Sequence, residues 1–191
     1  MKNIRANELV RSRVKSGLKL IAHSDSKCGF VSALDRASSL IDSQLVLLRS
    51  RDYMVWVVAR LQVMFGLRIS ECLNITGNDI DKRGRIIISG LKGSQSRIVI
   101  DSELNVFWLG KKRLCTQKIF EFDRYYVYRL YKSVGICYSV EGKKKGICTH
   151  TLRHLFIKDV QQSTNDIEET AILVGHKATS STNHYLKSKI K

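Results

Sequence analysis

MVWVVARLQVMFGLRISECL, residues 54–73, decides how the chain folds. Met54, Val57, Val58, Leu61, Met64 and Phe65 recur at helical spacing and fall on one face. Gly66 follows where a left-handed C-cap is wanted, a conformation that costs a residue without Cβ little. A shorter helix then runs through Cys72 and Leu73. Arg68 therefore sits at a sharp junction between two helices, the kind of rigid seat a reactive side chain needs.

Working outward, Leu40, Ile41, Leu45 and Leu48 mark an earlier helix from Ala37. Residues 1–32 are basic and Ser-rich, with weak helical periodicity between Leu9 and Ile21; a flexible arm and a short helix lying on a phosphate backbone both fit. The main domain is then 33–191. Downstream, Asp81-Lys82-Arg83-Gly84 reads as a turn. The β-branched runs Arg85–Ser89 and Arg97–Ile100 flank a Gly-containing loop, which predicts an antiparallel hairpin with Lys92 in its loop. Ile119, Phe122, Tyr126, Leu130 and Val134 predict another helix, whose tyrosines read as packing and rim residues. Lys143, Lys144 and Lys145 form a basic loop, either a phosphate clamp or plainly solvated. A helix is expected from about His150 to Gln161. Asn165-Asp166 caps the next, which stops at Gly175, and a last short helix from about Ser180 presents Tyr185. The expected fold is mixed α/β, mainly helical, with a small antiparallel sheet.

Lys and Arg outnumber Asp and Glu by 33 to 17, a formal net charge of +16. That surplus favours a polyanionic partner, nucleic acid first, over a merely lysine-rich surface. The five cysteines form no C-x-x-C pair, and Cys72 and Cys137 lie in apolar surroundings, so buried reduced thiols are expected. The richest apolar run, Met54–Ala59, is broken by Arg60, and no signal-peptide core opens the chain. A reducing, cytoplasmic setting without membrane contact follows as the expectation.

Chemistry concentrates in five segments: Gly66-Leu67-Arg68-Ile69-Ser70-Glu71, Lys92-Gly93, His150-Thr151-Leu152-Arg153-His154, Gly175-His176 and Tyr185. A tyrosine hydroxyl, with a pKa of about 10, is a poor nucleophile alone. Surrounded by guanidinium and ammonium groups, it can attack a phosphodiester. On one helix face, His150, Arg153 and His154 can hold a phosphate oxygen and move a proton. A zinc pair at His150 and His154 is the competing reading, but Thr151 replaces the glutamate of H-E-x-x-H and no third ligand is evident.

In order and spacing, these motifs resemble the tyrosine recombinase (phage integrase) family over roughly residues 33–186, and all six catalytic positions of that family are filled. The resemblance implies that Tyr185 attacks a scissile phosphate, leaving a 3′-phosphotyrosyl link. Arg68 and Arg153 would hold the non-bridging oxygens, Lys92 would protonate the departing 5′-oxygen, His150 would move the tyrosine proton, and His176 would hydrogen-bond the phosphate. Glu71 and His154 would support them from behind. Arg97, Lys143, Lys144, Lys145 and Lys177 would contact DNA. No cofactor or metal is implied, and religation needs no ATP.

Implied partners are double-stranded DNA with a specific site, further copies of the chain as a dimer or tetramer, and an accessory DNA-bending protein. Only residues 1–32 precede the matching region, and six follow Tyr185 (191 − 185). That size resembles the short, catalytic-domain-only members such as fimbrial-switch invertases. Two other readings stand beside the recombinase: a DNA-relaxing activity of the type IB topoisomerase kind, and a DNA-binding regulator that kept the fold without turnover.

Overall fold

The computed structural model describes residues 18–20, 34–90, 96–136 and 150–187, with the backbone alone for 18–20, 34–42 and 184–187. At its centre lies the helix read from Met54–Phe65, here Tyr53–Phe65 (α2), preceded by Leu34–Arg51 (α1). Asp52 starts α2, its Oδ1 accepting from the Val55 N–H at 2.9 Å, while its Oδ2 accepts from the Tyr126 hydroxyl at 2.9 Å. Val55, Val57, Val58, Ala59, Leu61 and Phe65 are all fully buried, so α2 is enclosed on every side. Its two enclosed polar residues each have a partner. Gln62 accepts from the Tyr131 hydroxyl at 2.7 Å, and Arg60 pairs with Asp101 at 2.8 Å and Glu103 at 2.8 Å.

Gly66 ends α2 as the sequence predicts, at φ +63°. Its N–H donates to Gln62 O at 3.0 Å and that of Leu67 to Leu61 O at 3.4 Å, satisfying two carbonyls the helix end leaves open. A Cβ here would also collide with the Phe156 ring, so both the backbone angle and the space demand glycine. The short helix Ile69–Leu73 (α3) follows directly.

The predicted hairpin is present as Ile86–Ile88 (β2) and Arg97–Asp101 (β3), paired antiparallel with Ile87 opposite Ile98. Residues of β2 alternate, Ile86 and Ile88 inward and Ile87 outward, as the two-residue pleat requires. A third strand, Leu18–Leu20 (β1), lies on the other side of β3, giving the order β1-β3-β2. These three residues thus extend the sheet, where the sequence allowed an arm or a helix. The loop carrying Lys92 lies outside the described residues.

Two further elements depart from expectation. A short helix, Asn105–Lys111 (α4), follows the sheet without a side-chain cap to announce it. The next helix is Arg124–Ser133 (α5), so Ile119 and Phe122 precede it. Asp123 sets the boundary, its Oδ1 accepting from the Tyr126 N–H at 2.8 Å, while the Ile119 N–H donates to Ile75 O at 3.0 Å. Helix-like apolar spacing across 119–134 therefore mixes an extended core segment with a helix.

The C-terminal part consists of Thr151–Thr164 (α6), Ile167–Val174 (α7) and Thr179–Lys187 (α8). Helix α6 packs on α2, and α7 and α8 pack on α6. Phe156, Ile157, Val160, Leu173 and Val174 form a separate apolar cluster between α6 and α7. Asp166 caps α7 from the side, accepting from the Glu168 and Glu169 N–H groups, and Gly175 ends it at φ +74°. Among the described residues, no helix is long and apolar enough to cross a membrane.

Candidate active site

The junctions after α2 and α7 bring the sequence motifs together. Glu71, one turn into α3, is buried and reaches back to accept from the Arg68 N–H at 2.8 Å. The same carboxylate takes the Arg68 guanidinium at 3.1 Å and Arg97 Nη2 at 2.8 Å, with Arg153 Nη1 3.9 Å away. Burial alone would raise the Glu71 pKa. Arg97, the Arg68 N–H and Arg153 outweigh it and hold the carboxyl below its ordinary value. Glu71 thus ties Arg68 and Arg97 to one buried carboxylate.

Arg153 is fully buried. Its Nη1 donates to Gly66 O and its Nη2 to Val174 O at 3.1 Å, so one guanidinium closes the C-terminal ends of both α2 and α7. Nη2 also stands 2.9 Å from His176 Nε2, and His176 Nδ1 stands 2.9 Å from Thr182 Oγ1 on α8. Burial and the charges of Arg153, Arg68 and Arg97, only partly opposed by Glu71, push the His176 pKa down to about 3. The ring is neutral at every physiological pH.

His150 occupies the cap position before α6, its backbone C=O accepting from the His154 N–H at 2.9 Å. Burial, then Arg124, Arg153 and Arg68, hold its pKa below the ordinary imidazole value. A neutral imidazole among guanidiniums can take a proton. His150 and Arg68 line an open cleft of about 1250 Å³ together with Lys118, Glu121, Asp123 and Arg124. Arg153 and His176 lie behind this cleft, not on it. The three-residue face expected for His150, Arg153 and His154 is accordingly divided: His150 faces the cleft, Arg153 the core, and His154 is half-buried.

Arg97, expected at a DNA surface, is turned inward with its side chain 9% exposed. The pleat explains it: Arg97, Val99 and Asp101 share the buried face of β3. Lys177 is exposed, next to His176. The α8 backbone carries Tyr185 one turn after Thr182; its side chain, with Lys92 and Lys143–Lys145, lies outside the described residues. Two residues went unnoticed in the sequence. Arg124 carried a signal, a cation directly after the capping Asp123. Thr182 carried none beyond standing three residues before Tyr185.

Comparison with known proteins accords with this architecture. A crystal structure of XerA recombinase matches with TM-score 0.55 at 24% identity, over 85% of this chain and 61% of that one. The Tn1549 transposon integrase, solved in complex with transposon right end DNA, matches with TM-score 0.53 at 16% identity, over 84% and 62%. The fold is that of tyrosine recombinase catalytic domains. The chain belongs to the phage integrase family, whose model matches residues 47–191. Tyrosine recombinase XerC of Rickettsia bellii is 27% identical over 202 residues, which cover 95% of this chain and 60% of that protein. The chain thus spans about 60% of the length of that relative.

Proposed function

We propose that this chain is a site-specific DNA recombinase that cleaves and rejoins strands through a 3′-phosphotyrosyl intermediate at Tyr185. The observation that carries the reading is the cluster in which one buried carboxylate, Glu71, pairs with Arg68 and Arg97 and stands 3.9 Å from Arg153, which contacts His176. Three guanidiniums around one carboxylate leave positive charge uncompensated, which suits a phosphodiester whose transition state gathers negative charge on its non-bridging oxygens. Arg68, on the cleft, meets the phosphate first. Neutral His150 accepts the tyrosine proton, Lys92 protonates the leaving 5′-oxygen, and His176 hydrogen-bonds the phosphate from behind. Lys177 and Lys143–Lys145 bind flanking backbone. Double-stranded DNA, further copies of the chain and a DNA-bending protein are the proposed partners, in the cytoplasm of a bacterial or phage-infected cell.

The test is covalent trapping. Short nicked duplexes tiled across the DNA flanking the gene are incubated with the protein and resolved on a denaturing gel. Wild type forms a protein–DNA adduct on one or a few duplexes, and Tyr185→Phe binds the same duplexes and forms none. Binding by both without any adduct sinks the enzyme and leaves a DNA-binding regulator. Relaxation of any supercoiled plasmid without site preference makes the activity topoisomerase-like instead.

A further inference from the structure

His176 has both ring nitrogens committed before any DNA arrives. Arg153 Nη2 stands 2.9 Å from Nε2 and Thr182 Oγ1 stands 2.9 Å from Nδ1. A guanidinium offers protons and no lone pair, so Nε2 is the acceptor and the ring proton sits on Nδ1. Arg153 and Thr182 are fully buried and His176 is 3% exposed, so water does not substitute for either partner. That tautomer is the wrong one for donating to a phosphate oxygen. Nε2 carries no proton while Arg153 donates to it.

A hydroxyl can serve both tautomers. It accepts from Nδ1–H through a lone pair, or rotates about its C–O bond and donates to a bare Nδ1. An isosteric methyl can do neither. Thr182 also stands three residues before Tyr185 on α8, so its hydrogen bond ties His176 to the helix of the proposed nucleophile. We propose that Thr182 is a positioning residue that lets His176 exchange one tautomer for the other while Nδ1 keeps its hydrogen bond. Its hydroxyl accepts from Nδ1–H in the DNA-free protein, then donates to Nδ1 when a phosphate displaces the Arg153 contact, so that Nε2–H faces the phosphate. The ring loses a proton at Nδ1 and gains one at Nε2, exchanged with water, and its charge does not change. This role rests on the strand-cleavage reading of the site. It explains how a ring held neutral by burial and by Arg153, Arg68 and Arg97 still donates a hydrogen bond.

Full-length wild type, Thr182→Ser and Thr182→Val separate the possibilities, with His176→Gln used only to assign the histidine signals. Ring nitrogen-15 shifts report the tautomer directly. DNA-free wild type and Thr182→Ser are expected with Nδ1 protonated, moving to Nε2 protonated on an unnicked duplex that traps in its nicked form. A proton on Nε2 in DNA-free wild type overturns the proposal without any variant. In the trapping assay, Thr182→Val forms adduct about 10- to 100-fold more slowly at unchanged DNA affinity, and Thr182→Ser stays within about threefold of wild type. Wild-type speed in Thr182→Val overturns it equally. A thermal melt establishes that Thr182→Val is folded; should it not be, the tautomers of wild type and Thr182→Ser decide alone. Absence of adduct from wild type on every duplex defeats the strand-cleavage reading instead, and the DNA-free tautomer still decides the role of Thr182.

Discussion

The inward face of strand β3 ends in two ion clusters built to opposite ratios. At one end, Asp101 and Glu103 hold a single Arg60. At the other, a single Glu71 holds Arg97 and Arg68 and stands near Arg153. The first cluster sums to −1 (1 − 2), the second to +2 (3 − 1). Arg60 is a staple: α2 is enclosed on all sides, and its guanidinium fixes the helix to the end of the sheet. The Glu71 cluster is unfinished by the same standard. Nε and Nη1 of Arg97 are buried and have no hydrogen-bond partner among the described residues. Burying more cations than anions is unfavourable unless another anion completes the set. Charge balance therefore separates a cluster closed on its own charges from one with a cationic surplus.

The largest effect expected from that difference is at Glu71. Glu71→Gln keeps the shape and removes the one carboxylate that faces the three guanidiniums among the described residues, at a cost of about 3–5 kcal/mol in chemical denaturation. The amide keeps one acceptor oxygen and makes the other a donor, so Arg68 loses one of its two contacts, backbone or side chain, and trapping should slow at least about tenfold. Asp101→Asn leaves Glu103 on Arg60 at 2.8 Å. Its cost should be about 1–3 kcal/mol, with adduct formation close to wild type. Equal slowing in the two variants would show that charge balance does not distinguish the clusters.

A second effect is a pH dependence seated at the Glu71 end. His176 is protonated near 6.5 when unfolded but only at about 3 when folded. Between those values the unfolded chain binds more protons, so stability rises with pH and falls as pH drops from about 6.5. His150, with its pKa lowered in the fold, adds to the upper part of that window. Glu71, also lowered, adds loss below its unfolded value of 4.5. The slope is at most about 1.4 kcal/mol per pH unit for each group. Denaturation midpoints between about pH 7 and about pH 5 should fall in wild type and flatten in His176→Gln. An unflattened slope would remove His176 from the account. The low pKa of His150 likewise places the acid limb of adduct formation below pH 6.5.

Local chemistry made much of this fold readable. Gly66 and Gly175 each end a helix at positive φ, and Asp166 caps α7, because such signals depend on a few neighbouring residues. The hairpin followed from β-branched runs around a glycine loop. Three-residue β1 was not readable, since it pairs with a strand some eighty residues on and carries no turn signal. Helix α5 was overextended because Ile119, buried, and Phe122, half-buried, pack for tertiary reasons at a helical interval. At the site, residue types and order singled out Arg68, Glu71, Arg153 and His176, which the fold brings together, but did not give their depth. Arg97 could have been placed inward from its pleat parity with Val99. That Glu71, 26 residues away in sequence, waits beneath it is a fact of packing. The Thr182 hydroxyl, likewise, acquires meaning only from the histidine beside it.

The smallest effect is the most direct probe of the surplus charge: binding of inorganic sulfate in place of a DNA phosphate. Arg68 is the cluster member with the most exposed side chain, at 21%, and it lines the cleft with His150 and Arg124. A dianion docking there should raise stability by about 1 kcal/mol at several times its dissociation constant. Sulfate also stabilises proteins generally through exclusion from their surfaces, so the wild-type shift alone decides nothing. That general contribution is common to wild type and Arg68→Ala, and their difference isolates the site. Asp101→Asn, altered at the staple, should respond as wild type does. A sulfate response that survives intact in Arg68→Ala would mean that the excess charge beside Glu71 is not open to an anion from the cleft. Arg153, closed behind Gly66 O and Val174 O, would then be a second staple.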